Sequence, residues 1–168
     1  MNADKFLDEQ YRISFTAGMN QRYHQDRAHW FEWWHRGTAI AVGFLAVTGA
    51  ILAFVPAWTV VPRIVACISA GAAIFLNVIP FGEWARQHSD LFRRWTDLRE
   101  EIDALYFDLD GEPTPELIAR LRAIDGKHHR ICSAEPAFND ERLVKYYQAE
   151  KKSRPDDVDG AAPAAPAA

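Results

Sequence analysis

Residues 38–81 read TAIAVGFLAVTGAILAFVPAWTVVPRIVACISAGAAIFLNVIPF, and the meaning of this stretch decides the fold. From Gly37 to Pro62 there is no charged side chain; Arg63 interrupts, and Ile64 to Gly82 is uncharged again. Almost everything on either side is charge-dense, so the overall 25% of charged residues hides a sharp partition. A helix that crosses the roughly 30 Å hydrocarbon core of a bilayer needs about 20 mainly apolar residues. Thr38–Val55 and Ile64–Phe81 each approach that length, which places two membrane spans at about 38–56 and 63–81. The alternative is a pair of buried core helices, and two of them in a chain this short would need a far larger soluble shell to cover them.

Working outward, the flanks agree with a membrane. Trp30, Trp33 and Trp34 precede the first run, Trp58 lies between the runs and Trp84 follows the second. Tryptophan favours the headgroup level, where its ring is sheltered and its N–H stays wet. The connection Pro56–Pro62 is short and bracketed by prolines, so the spans run antiparallel and both termini share one side. Arg22, Arg27, Arg36, Arg86, Arg93, Arg94 and Arg99 lie near the spans on that side, against Arg63 alone at the turn. Positive residues stay inside. The expected topology is therefore multi-pass, with both termini in the cytoplasm. A signal peptide fits poorly, because the first apolar run begins far beyond the usual position.

Small residues recur at helical spacing in both runs: Ala46, Gly49, Ala50 and Ala53 in the first, and Ala66, Ser69, Ala70 and Ala73 in the second, continued by Asn77. Ile40, Phe44, Val47, Ile51 and Phe54 form the bulky opposite side. Small faces let membrane helices approach closely, either within the hairpin or between copies of the chain. The Asn77 amide needs a partner across the hairpin, in another subunit or in the water of a pore.

From Glu83 onward the pattern is a heptad. Trp84, His88, Leu91, Trp95, Leu98, Ile102 and Leu105 alternate steps of four and three, and Leu109 prolongs the seam. The second span is expected to continue as one long helix, with any kink at Pro80 and Gly82. Before the membrane, Tyr11, Phe15, Met19, Tyr23, Trp30 and Trp34 mark an amphipathic N-terminal helix. Asp110–Pro113 breaks the long helix, Thr114 and Pro115 start another, and Leu117, Leu121, Ile124, His128 and Ile131 give that one its seam. Asn139 is placed to cap a short last helix carrying Leu143, Val144 and Tyr147. The expected fold is an all-α membrane protein. It comprises an N-terminal amphipathic helix (1–36), a transmembrane hairpin (37–82), an antiparallel cytoplasmic helical bundle (83–152) and a disordered Ala/Pro tail (153–168).

Catalytic chemistry is not visible. There is no phosphate-binding glycine loop, no dinucleotide fingerprint and no nucleophile motif. Neither catalytic residues nor a cofactor is assigned, and the chain reads as a non-enzyme. Six histidines (His24, His29, His35, His88, His128, His129) make no HExxH pattern, and the adjacent pair points to different helix faces, so no metal site is expected. Cys67 and Cys132 fall in an apolar run and a polar helix, which disfavours a disulfide and suits a reducing compartment. A net charge of −4 without a basic stripe argues against nucleic acid as a partner.

The segments RYHQDRAHWFEWWHR (22–36), HSDLFRRWTDLREEI (88–102) and LRAIDGKHHRICSAEPAFNDERLVKYYQAE (121–150) resemble the SLATT (SMODS/SLOG-associating) family of two-transmembrane bacterial proteins. With the short-turn hairpin, the likeness runs from Asp4 to Glu150. It implies an oligomeric, pore-forming or membrane-perturbing effector of a nucleotide-signalled conflict or anti-phage system. It further implies a separate nucleotide-sensing or nucleotide-synthesising partner protein, since no such domain is fused within these residues. A scaffold reading stands beside it: a non-conducting membrane anchor whose heptad from Trp84 to Leu109 recruits a soluble partner.

Overall fold

The structure, a computed structural model, describes residues 1–54, 60–135 and 140–153; the side chains of residues 76, 77 and 140–142 also lie outside the described set. Four expectations therefore fall outside the described residues: the turn with Trp58, the amide of Asn77, the Asn139 cap and the tail from residue 154 onward.

The described residues form helices and no strands: α1 (Ala3–Leu52), α2 (Val61–Val78), α3 (Phe81–Phe107), α4 (Pro115–Ala134) and α5 (Asp140–Ser153). They group into two compact units, one of residues 1–26 with 88–168, the other of residues 27–87.

In the first unit, α3 and α4 are antiparallel. Asp108 pairs with Arg120 and Glu101 with Lys127, so one number falls as the other rises. The same logic sets α1 against α3, through Gln10 on Ile102 and His24 on His88. It also sets α5 against α1, through Arg22 on Glu150 and Asp26 on Tyr146. The core between α1, α3 and α4 contains Phe6, Ile13 and Ala17, then Leu91, Trp95, Leu98, Ile102 and Leu105, then Leu117, Leu121, Ile124 and Ile131. Thr114 caps α4 by accepting from the Leu117 N–H at 3.2 Å, and Pro115 occupies the first turn, where no backbone donor is needed. Gly111, with φ of +81°, supplies the left-handed residue in the turn between α3 and α4.

The buried stripe of α1 differs from the aromatic stripe that its sequence advertises. Phe6, Gln10, Ile13, Ala17, Asn20 and His24 follow strict four-three spacing and are buried, although three of the six are polar. Phe15 and Tyr23 are also buried, Tyr11 and Met19 only half so, while Trp30 and Trp34 stand exposed. The polar members are tolerated because their bonds can be made inside: the Gln10 side-chain amide donates to the Ile102 carbonyl at 3.2 Å. On the neighbouring face, Ser14 donates to Asp103 at 2.7 Å.

Helix α5 is held by a fully buried carboxylate. Glu150 accepts from Arg22 at 2.9 Å and lies 3.5 Å from Arg99. Gly18 makes room for it: a Cβ at residue 18 would sit 2.4 Å from Glu150 Oε1. Tyr147 packs edge-on against Phe15, with ring centroids 5.2 Å apart.

In the second unit, the helix that follows the second apolar run is interrupted. Ile79 is extended and α3 begins at Phe81, because Pro80 lacks an N–H and pushes its predecessor out of the helical region. Trp84, read as the first seam position, is 39% exposed and takes no part in the core of the first unit; it packs on Phe31 and Phe81 in an aromatic cluster of its own. A Cβ added at Gly82 would lie 3.5 Å from the His35 ring, an ordinary van der Waals contact.

The apolar helices meet along part of the small-residue stripes, at Gly49, Ser69 and Ala73, with larger aliphatic side chains beside them. The helices come close at Gly49, where an added Cβ would lie 3.2 Å from Val65 Cγ1. Val42, Leu45, Leu52, Val65, Ala72 and Ala73 are half-buried and Ser69 is buried, whereas Ala46, Ala50, Ala53, Ala66 and Ala70 are exposed. Helix α1 is long and apolar enough to cross a membrane by length and composition, and only 6% of its apolar window is buried. The apolar part of α2 among the described residues, Val61–Phe75, is shorter.

Candidate functional site

The first unit encloses a polar centre. His24, fully buried, comes from α1; His88 and Trp95, both seam positions, come from α3; Glu135 follows the last residue of α4. His24 Nδ1 lies 2.8 Å from His88 Nδ1, and His24 Nε2 lies 2.9 Å from Glu135 Oε1. The same carboxylate oxygen accepts from the Trp95 indole N–H. Tyr23 closes the group edge-on, with ring centroids 5.0 Å from His24 and 6.0 Å from His88.

Two Nδ1 atoms at hydrogen-bond distance share one proton between them, since two N–H groups or two lone pairs facing each other would repel. With Glu135 accepting at the far side of His24, the arrangement is a His–His–carboxylate chain. Such a chain can hold and move a proton, and it ties three helices together at one buried point.

A second polar group lies along α4. Asp125, His128, His129 and Cys132 fall at helical spacing, and Arg12 of α1 reaches Asp125 Oδ1 at 3.3 Å. Arg12 is already gripped by Glu9, whose carboxyl its hydrogen bonds hold below the usual range. Burial, with Arg12 and His129 adding repulsion, pushes the His128 imidazole below its ordinary value and outweighs the pull of Asp125 and Glu135. Its ring packs edge-on against Trp95, centroids 5.7 Å apart.

No family model, curated protein or solved structure matches the chain. The likeness to SLATT proteins therefore rests on the quoted segments alone.

Of the residues singled out from sequence, the structure brings His88 and Trp95 into the polar centre and buries Leu91, Leu98, Ile102 and Leu105 in the adjoining core. Trp84 belongs to the aromatic cluster of the second unit, as do Trp30 and Trp34. The small residues from Ala46 to Ala73 lie in α1, the turn after it and α2, and do not enter the polar centre. His24 and Glu135 were missed. His24 carried a signal in the four-three spacing from Phe6, which a search for apolar periodicity passes over. Glu135 carried none, because it reads only as the acidic residue before a helix-ending proline.

Cys132 gives a direct check of this region. Both cysteines are free and reach solvent, yet burial of the Cys132 thiol, reinforced by the Glu135 charge, pushes its pKa up to about 11. At pH 8 only about one thousandth of it is thiolate, against about a tenth for a thiol at its ordinary value. In Cys67→Ser protein, iodoacetamide is expected to alkylate Cys132 about 100-fold more slowly at pH 8 than an unperturbed exposed thiol. The rate should climb about tenfold per pH unit up to pH 10; a plateau near pH 9 contradicts the environment described.

Proposed function

We propose that this chain is an integral membrane protein of a bacterial inner membrane. In this reading the apolar end of α1 and helix α2 form a transmembrane hairpin, with both termini in the cytoplasm. The observation that carries it is the uncovered apolar surface. Ile40, Phe44, Val47, Ile51 and Phe54 are 61–87% exposed, and Ile64, Ile68, Ile74, Phe75 and Val78 are 52–72% exposed. A soluble monomer rarely leaves a contiguous apolar patch of that extent in water, and a core helix would be mostly buried. The exposed aromatic residues Trp30, Trp33, Trp34 and Trp84 suit the headgroup level. A cleaved signal sequence is disfavoured, because the part of α1 that precedes the apolar window supplies Phe6, Ile13, Ala17 and His24 to a packed core.

The favoured activity is that of a homo-oligomeric effector that opens pores in the bilayer or perturbs it. The stripe Ala46, Ala50, Ala53, Ala66 and Ala70 is free of the hairpin seam and accessible to a second copy. The resemblance to SLATT proteins adds the setting, a nucleotide-signalled conflict or anti-phage system with a separate sensing or synthesising partner. Controlled expression with a membrane-potential dye tests it. Loss of potential in cells, with leakage from vesicles carrying the purified protein, is the expected result. An assembled form that leaves both intact overturns it.

A second reading is favoured by the open groove of about 370 Å³ between α3 and α4, lined by Arg94, Asp97, Glu101, Lys127 and Arg130 over Leu98 and Ile131. A charged rim over an apolar floor suits a docked soluble helix, and the chain would then be a non-conducting scaffold. Crosslinking separates the two: a ring of identical subunits supports the effector, and a stable hetero-complex without leakage supports the scaffold.

A further inference from the structure

We propose that Asp125, His128 and His129 form a mononuclear site for a divalent transition-metal ion of the zinc class, with water completing the coordination. The three residues sit at i, i+3 and i+4 of α4, and their donor atoms all lie within 4.8 Å of one another. His128 Nδ1 is 3.8 Å from Asp125 Oδ1, and His129 Nε2 is 3.5 Å from Asp125 Oδ2. Bonds of about 2.0–2.1 Å around a tetrahedral zinc put neighbouring ligand atoms about 3.3 Å apart. The two carboxylate–imidazole distances are within about half an ångström of that spacing, and the wider separation among the donor atoms, up to 4.8 Å, is closed by rotation of the exposed His129 side chain.

The independent observation is on His128. Its side chain is only 7% exposed, and Nδ1 has no hydrogen-bond partner among the described residues although it is aimed at Asp125. A buried polar nitrogen left without a partner is destabilising, and a metal–nitrogen bond removes that cost. The neutral imidazole that burial favours at His128 is the form that binds metal. Two imidazoles and one carboxylate with an open position match the donor preference of zinc and its neighbours rather than of magnesium or calcium.

The surroundings set the affinity. Glu9 and Asp125 face the single guanidinium of Arg12, leaving one negative charge beside the two imidazoles. Glu135 lies near enough to act on both His128 and Cys132. Cys132 Sγ is 3.6 Å from His128 Nε2, on the far side of the ring from the site, and its thiol stays protonated at neutral pH. Arg12 and the metal compete for the Asp125 carboxylate, so occupancy loosens the Arg12–Asp125 ion pair between α1 and α4 while Glu9 keeps the guanidinium paired.

The test is titration of the full-length chain in detergent micelles, free of any histidine tag, with Zn²⁺ by calorimetry and with Co²⁺ by visible absorption. One equivalent should bind with a tetrahedral or five-coordinate Co²⁺ spectrum and no thiolate charge-transfer band. His129→Gln, at an exposed position that leaves the fold intact, and Asp125→Asn should each weaken binding at least about tenfold. Arg12→Gln should tighten it. Failure to bind one equivalent, binding unchanged in both His129→Gln and Asp125→Asn, or a thiolate band would each overturn the assignment. Far-UV circular dichroism of every variant separates loss of the ligand from loss of the helix.

Discussion

Phe44→Asp is expected to strip the protein from the membrane fraction. Phe44 is 74% exposed in the middle of the apolar end of α1. In water, exchanging an exposed phenyl ring for a carboxylate removes apolar surface and improves solubility. In hydrocarbon the same exchange costs about 2.5–3.5 kcal/mol for the aspartate plus the lost contribution of the phenylalanine. That corresponds to a fall of about two orders of magnitude in the insertion equilibrium. The two solvents thus give opposite signs. An alkaline carbonate wash of isolated membranes reads the outcome: wild-type protein stays in the pellet and the variant moves to the supernatant or is degraded. A variant that expresses as well as wild type and pellets equally leaves the membrane reading without its main support.

Trp95→Ala should cost the first unit about 3–5 kcal/mol. Trp95 is fully buried between α1, α3 and α4, touches the His128 ring and is among the largest buried side chains of the core. Its removal opens a cavity bounded by three helices that cannot all collapse into it. It also removes the indole donor from Glu135, whose side chain is only 3% exposed. The partner loss adds to the cavity cost, because the carboxylate then depends on His24 for its contact within the centre. Denaturant unfolding in micelles, followed by far-UV circular dichroism, should show the transition of this unit shifted strongly to lower denaturant. Trp95→Phe fills much of the volume without the N–H, so it should fall between the two; a Trp95→Phe variant as stable as wild type would show that the indole bond contributes nothing.

What could be read from sequence follows from how local each signal is. The helical class, the position of α4 with its Thr114 and Pro115 start, and the seam from His88 to Leu105 are written in four-three spacing and in cap residues a few positions apart. The sharp boundary between apolar and charged stretches is likewise a property of consecutive residues, and it singled out residues 38–81 without any knowledge of the fold. The break at Pro80 belongs to the same class, because proline acts on its own peptide and on its immediate predecessor.

Only the tertiary structure decided which helix faces meet. The contact of His24 with His88, 64 positions apart in the chain, and the reach of Glu135 from the end of α4 depend on helix register and on antiparallel pairing, which no local pattern encodes. The buried stripe of α1 stayed hidden because Gln10, Asn20 and His24 look like surface residues, and the partners that bond Gln10 and His24 come from α3 and from Glu135 beyond α4. The apolar helices show the same limit. Their composition marked two stripes of small residues, and the seam takes only Gly49, Ser69 and Ala73 from them together with Val42, Leu45, Leu52 and Val65, because the packed face depends on how two helix surfaces fit and not on residue size alone.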